Sequence, residues 1–239
     1  MSADNTYRDN QALGKAKVNF RRYSQMISCE RYLEIGTWAG GSLFFVLERM
    51  RPEIAYAIDP YPGSFRFSKD VATRMGKRVR AQWAREYPHV RGGLIWESSH
   101  EVLPRKAVAW REFFDLIYVD GCHNGLDIFM DAAQTMRMVW PGGLLVFDDF
   151  GMKKPARRAA LRLVLDTLQR ISGGVFEVLF SNIHLVMRRT PVPWPESVQE
   201  EWSTVGPSML PPRELKVGGR LVVPETPMEQ GNEQSLSVL

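Results

Sequence analysis

Two stretches decide the fold: Ile117-Tyr118-Val119-Asp120-Gly121-Cys122-His123 and Pro141-Gly142-Gly143-Leu144-Leu145-Val146-Phe147-Asp148-Asp149. Each is a short apolar run that ends in acid, and such runs read as buried strands. In open α/β sheets, ligand sites form just outside the carboxyl ends of the strands. Asp120, Asp148 and Asp149 arrive at two such ends, with His123 three residues past the first. Three oxygen donors on rigid elements suit a hard cation such as Mg²⁺. A histidine nearby can take a proton from whatever the cation holds.

Working outward, strands and helices alternate. Tyr7 to Ser28 reads as a helical lead-in and Arg31 to Ile35 as a strand. A glycine turn, Gly36 to Gly41, follows. Ser42 is placed to cap the next helix, whose apolar side is Leu43, Phe44, Val46 and Leu47. Ile54 to Ile58 is a second strand closed by Asp59-Pro60, and Ser68 to Glu86 a long basic helix. Gly93 to Trp96 and Phe114 to Val119 are the third and fourth strands, with a short helix opening at Ser99. Gly125 to Met138 is helical, Leu144 to Phe147 is the fifth strand, and Pro155 to Ile171 is a helix. Val175 to Phe180 and Ile183 to Met187 are two strands across the turn-prone Ser181-Asn182.

This alternation predicts an α/β, doubly wound, Rossmann-like sheet of seven strands, mostly parallel, with an antiparallel hairpin at one edge. Three regions follow: a helical lead-in or cap over 1–30, the main domain over 31–189, and a Pro-rich acidic tail over 190–239. The tail is read as irregular or partly disordered, with at most one hairpin around Gly218-Gly219.

With 239 residues, 44% hydrophobic and 24% charged, the chain has ordinary globular composition. Its apolar runs are too short to span a bilayer, and no signal peptide is apparent. Cys29 and Cys122 make neither a disulfide framework nor a zinc site, so a cytoplasmic location is expected. The net charge of +4 hides a basic stretch from Arg66 to Arg91, where eight Lys/Arg face Asp70 and Glu86. Basic stretches can mark a nucleic-acid partner. A solvated helix face is the preferred reading, because no aromatics interleave for base stacking. Self-association is left open.

The turn Leu33-Glu34-Ile35-Gly36-Thr37-Trp38-Ala39-Gly40-Gly41 follows the first strand and opens a helix. Its glycines let the backbone approach a ligand, and the helix beyond offers free N–H groups. A dinucleotide site would want G-x-G-x-x-G. Thr37 and Trp38 follow Gly36, so the second glycine is absent and an NAD-dependent oxidoreductase is disfavoured. Glu34 two before Gly36, with Gly40 four beyond, resembles motif I of the class I methyltransferases that use S-adenosylmethionine (SAM). That resemblance implies cofactor contacts from Glu34, Gly36, Thr37, Trp38, Gly40 and Ser42. It gives Asp59 the ribose hydroxyls and places Ser98 or its neighbour Ser99 by the adenine. The plain alternatives are a turn residue before proline for Asp59 and surface capping for Ser98.

The pattern V-D-G-x-H, then P-G-G-x-x-x-F-D-D, resembles the metal-dependent small-molecule O-methyltransferases. It is most similar to the branch with macrocin-type sugar and cephalosporin-biosynthesis enzymes, and less so to the catechol O-methyltransferases. The likeness runs from about Arg31 to Met187 and makes 31–189 the methyltransferase domain. It implies that Asp120, Asp148 and Asp149 bind Mg²⁺ or another divalent cation and that His123 is the base. Asp148 and Asp149 could instead cap a helix or pair with Lys153 and Lys154. Asp120 could hold the methionine end of SAM without a metal. His184, His89 and His100 read as bystanders.

The function so implied is methyl transfer from SAM to a hydroxyl of a small polyhydroxylated acceptor, a glycoside or catechol-like molecule. Tyr61, Phe65, Phe67, Tyr23 and Met26 are candidates to cover the acceptor, with local packing as the alternative. The competing classes are an RNA methyltransferase, suggested by the basic stretches, and a non-catalytic nucleotide-binding module.

Overall fold

The computed structural model describes residues 20–63, 67–122, 124–148, 150, 172–181 and 184–196, scattered helical positions between 159 and 170, and the short strands 215–217 and 220–222. Residues 20–26 are helical (α1). The next elements are β1 (Arg31–Ile35), α2 (Gly41–Arg49), β2 (Ile54–Ile58), α3 (Lys69–Glu86), β3 (Arg91–Ile95) and α4 (Ser99–Lys106). They are followed by β4 (Phe114–Val119), α5 (Gly125–Thr135), a 3-10 turn (Met136–Met138), β5 (Val139–Phe147), β6 (Phe176–Ser181) and β7 (Leu185–Arg189). A separate hairpin pairs β8 (Leu215–Val217) with β9 (Arg220–Val222).

The main sheet has seven strands in the order β3-β2-β1-β4-β5-β7-β6. Pairings from β3 through β5 are parallel, and β7 runs antiparallel to both neighbours. This is the doubly wound sheet with an antiparallel edge hairpin that the alternation predicted. Strand order reverses between β1 and β4, and the crevice at that switch point is where such sheets bind ligands.

Strand alternation sends side chains to two faces. One face joins Leu33, Ile35, Ile117, Val119, Leu145 and Phe147 to Val102, Leu103, Ile128 and Ala132 of α4 and α5. The other joins Tyr32, Leu116, Tyr118, Leu144 and Val146 to Leu43, Val46, Val79 and Trp83 of α2 and α3. Every residue of β4 is buried, as expected of a strand covered on both sides. Each large apolar side chain taken fully from water contributes about 1.5–3 kcal/mol, which holds the strand ends rigid. Phe20 and Tyr23 of α1 belong to the second cluster, so the lead-in helix is part of this core.

Two local differences from the sequence reading have simple causes. On α2 the buried positions are Leu43, Phe45, Val46 and Leu47, while Phe44 stacks on Tyr87 at 5.8 Å. Strand β5 begins at Val139 rather than Leu144, because the chain passes through Pro141-Gly142-Gly143 as an irregularity of the ladder. A Cβ on Gly143 would come within 2.8 Å of the Asp115 carbonyl oxygen, so only glycine fits that close approach.

Candidate active site

The carboxyl ends of β1, β2 and β4 are tied together by backbone hydrogen bonds. Gly36 N–H donates to Ile58 O at 2.9 Å, and Asp120 N–H donates to Ile35 O at 2.7 Å. Gly36 has φ +85°, and a Cβ there would lie 2.0 Å from the Asp120 carbonyl oxygen. The turn continues through Trp38 and Gly40, also at positive φ, and Gly40 N–H closes onto Thr37 O at 2.8 Å. Gly40 is the N-cap of α2. Ser42, expected to be that cap, instead donates from Oγ to Glu34 Oε1 at 3.0 Å. The helix begins two residues earlier because glycine supplies the left-handed entry.

Glu34 is fully buried on β1. Tyr32 Oη donates to its Oε2 and Ser42 to its Oε1. Burial pushes its carboxyl up to about 8, against those two hydrogen bonds. Glu34 therefore braces the turn from beneath. Thr37 is 3% exposed, and its Oγ1 has no hydrogen-bond partner among the described residues. A buried hydroxyl of this kind suits a bound polar ligand.

Asp59 ends β2 in a buried position. Its Oδ2 accepts from Trp38 N–H and its Oδ1 from Tyr61 N–H, both at 2.8 Å. Burial raises its pKa while these N–H groups hold it down. Each carboxylate oxygen keeps acceptor capacity beyond these bonds. Tyr61 is buried, and its hydroxyl donates to Trp38 O at 2.9 Å. Trp96 packs edge-on against it at 5.2 Å, so Tyr61 is part of the floor of the loop. Phe67 lies 4.9 Å from Trp38, ring to ring. Phe65 lies outside the described residues.

Ser98 caps α4. Its Oγ–H and N–H donate to Glu101 Oε2 at 2.9 and 3.2 Å, which is half of a capping box. That geometry realises the capping role that the sequence offered as the alternative for Ser98.

Asp120 and Asp148 follow Val119 and Phe147, which are partners in the parallel β4/β5 ladder. Asp148 N–H donates to Val119 O at 3.0 Å, so the two acids stand side by side about one strand spacing (~4.8 Å) apart along the sheet. Both raise the Tyr118 hydroxyl pKa, after burial as the largest cause. Asp149 and His123 lie outside the described residues. Among the described residues no group of three or more His, Cys, Asp or Glu side chains is arranged to hold a metal ion. As a donor set, neighbouring carboxylates fit a hard divalent cation.

Residues 33–150 match the family model described as a methyltransferase domain. Those residues are thus matched as a methyltransferase domain. The fold of this methyltransferase is similar to that of an O-methyltransferase from Bacillus cereus in complex with SAH, at 12% identity and TM-score 0.55, covering 80% of this chain and 92% of that one. It is similar to TomG from Streptomyces achromogenes, an O-methyltransferase involved in tomaymycin synthesis in complex with SAM, at 18% identity and TM-score 0.50, covering 74% and 80%. It is also similar to the O-methyltransferase NovP, at 15% identity and TM-score 0.53, covering 74% and 80%. No curated protein sequence matches the chain. The class I methyltransferase fold implied by the motifs is thus the fold found.

The sequence reading of the methyltransferase set His184 aside as a bystander. Its Nε2 lies 2.8 Å from Asp148 Oδ1, and its Nδ1 meets the Tyr23 hydroxyl. Tyr23, considered as an acceptor contact, is 1% exposed and engaged there. Nothing in the local sequence around His184 signals this, since the three residues lie on α1, the β5 end and the edge hairpin. Asp131 of α5 was also missed. It is 2% exposed, and burial pushes its pKa up to about 6. His100 Nε2 lies 3.6 Å from Asp127 and 4.0 Å from Asp131, between α4 and α5. Among the described residues no helix is long and apolar enough to cross a membrane.

Proposed function

We propose that this methyltransferase moves a methyl group from SAM to a hydroxyl of a small polyhydroxylated acceptor, a glycoside or a catechol-like molecule, with help from a divalent cation. The observation that carries the reading is the pair Asp120 and Asp148 at neighbouring strand ends, beside the glycine turn that ends β1. We place the enzyme in the cytoplasm, consistent with its two free cysteines.

The turn from Gly36 to Gly40 would receive the cofactor, with Thr37 Oγ1 and the backbone offered to its polar groups. Asp59 would accept from the ribose hydroxyls while its bonds to Trp38 and Tyr61 N–H hold it in place. Asp120, Asp148 and Asp149 would hold Mg²⁺. When bound, SAM brings an activated methyl group, and the cation lowers the pKa of a hydroxyl it touches. His123 would accept the acceptor's hydroxyl proton on a ring nitrogen, imidazole being the side chain best suited to take up a proton near neutral pH. Alignment of acceptor oxygen and methyl group supplies much of the rest of the rate.

The test is incubation with methyl-labelled SAM and separate pools of catechols, polyhydroxylated glycosides and total RNA, each with Mg²⁺ and with EDTA. Label on a small hydroxylated molecule, lost in EDTA, supports the reading. Label on RNA with steep salt dependence would replace it with an RNA methyltransferase. SAM binding without turnover on any pool would favour a non-catalytic module.

A further inference from the structure

Asp148 is held from three sides by elements remote in sequence. Its backbone is fixed to β4 through Val119 O. Its side chain is hydrogen-bonded with Tyr118 of β4, and His184 Nε2, just before β7, reaches Oδ1 at 2.8 Å. His184 is 3% exposed. Its ring stands edge-on to Tyr118 at 5.8 Å and tilted to Tyr23 at 6.0 Å. Tyr23 in turn is locked by Phe20, ring to ring at 5.3 Å, and Phe20 rests on Tyr118 at 4.9 Å.

The chemistry of this chain is directional. An ionised carboxylate only accepts, so His184 donates from Nε2. The tautomer with its proton on Nε2 satisfies both partners, since Nδ1 can then accept from the Tyr23 hydroxyl. Both ring nitrogens are thus occupied by protein groups and the ring is buried, so His184 has no nitrogen left to take a proton from an acceptor. What it can do is orient. A hydrogen-bonded histidine whose far nitrogen is also fixed holds a carboxylate in one rotamer, and a carboxylate has more acceptor sites than one such bond uses.

We propose that His184, with its tautomer set by Tyr23, is a positioning residue that aims the Asp148 carboxylate into the site, making the lead-in helix α1 a working part of the catalytic apparatus. This rests on the reading of Asp148 as a cation ligand.

The test uses the full chain and Mn²⁺ as the probe, with free Mn²⁺ followed by electron paramagnetic resonance and SAM affinity by calorimetry. The variants are Tyr23→Phe, His184→Leu and His184→Gln. Tyr23→Phe removes one hydroxyl and little volume, so it carries the test if His184→Leu fails to fold. The expected result is a loss of about 10- to 100-fold in Mn²⁺ affinity for Tyr23→Phe and His184→Leu, the usual cost of removing a group that orients a metal ligand. SAM affinity should stay near wild type, and His184→Gln, whose side-chain amide can donate where Nε2 did, should recover much of the loss. Unchanged Mn²⁺ affinity in folded Tyr23→Phe and His184→Leu would overturn the positioning role. So would Mn²⁺ and SAM affinity falling together with thermal stability, which is the mark of a merely structural contact. Failure of the wild-type chain to bind Mn²⁺ would instead remove the cation reading itself, and this inference with it.

Discussion

Gly36 lies directly against the backbone of Asp120, so that a Cβ on Gly36 would sit 2.0 Å from the Asp120 carbonyl oxygen. The first strand's turn and the fourth strand's acid are thereby packed as one piece at the switch point of the sheet. Gly36→Ala meets two penalties there, a left-handed backbone and an overlap with main chain that cannot swing aside. We expect a loss of about 2–4 kcal/mol in unfolding free energy and weakened SAM binding, checked by urea titration and calorimetry. Wild-type stability in this variant would mean that the two strand ends are farther apart than described.

Asp59 bridges the N–H groups of Trp38 and Tyr61 with one oxygen each. Asp59→Ala removes both bonds and the acceptor proposed for the ribose. Charged hydrogen bonds are worth about 1.5–3 kcal/mol each, so SAM affinity should fall by roughly tenfold or more. Asp59→Asn retains one acceptor oxygen and should fall between. Calorimetric titration of SAM into the three proteins decides the order.

The pH dependence of stability should carry a signature of Glu34. Burial pushes its carboxyl from the ordinary 4.5 to about 8. Between those values the folded chain holds a proton that the unfolded chain has released, so stability falls as pH rises. The contribution is complete below about 4.5 and is lost as the pH passes through about 8. Glu34→Gln stays neutral throughout and should flatten the fall in Tm across that window. Equal slopes in the two proteins would show that Glu34 keeps one charge state over this range.

Asp120→Ala should abolish cation-dependent transfer and leave SAM affinity close to wild type, since the glycine turn and Asp59 remain. On the proposed reading, chelation of divalent cations with EDTA should mimic the variant, and added Mg²⁺ should restore only the wild type. Full activity of Asp120→Ala would assign this acid a structural role.

Most of the sheet was legible because its signals are local. Apolar runs of strand length, each closed by an acid or a glycine turn, placed β1, β2 and β4 at their observed bounds. The acids after β4 and β5 and the glycine turn after β1 could be set at one edge of the sheet by topology alone, since parallel strands joined by helices present their carboxyl ends together. Local signals misled where a neighbour far along the chain decides the outcome. Ser42 has the chemistry of a cap, but Glu34 claims its hydroxyl. Strand β5 runs through Pro-Gly-Gly because Gly143 must clear the Asp115 carbonyl.

Taken by itself, the sequence determined the alternation of elements, the parallel sheet and the positions of the acids, because hydrophobic period and turn chemistry act over a few residues. Only the tertiary structure decided that Tyr23, His184 and Asp148 form one hydrogen-bonded line. Its first two members are 161 residues apart, and no periodicity reaches that far. They meet because α1 packs on the sheet face to which the edge hairpin also turns side chains, and polar groups buried there must find partners.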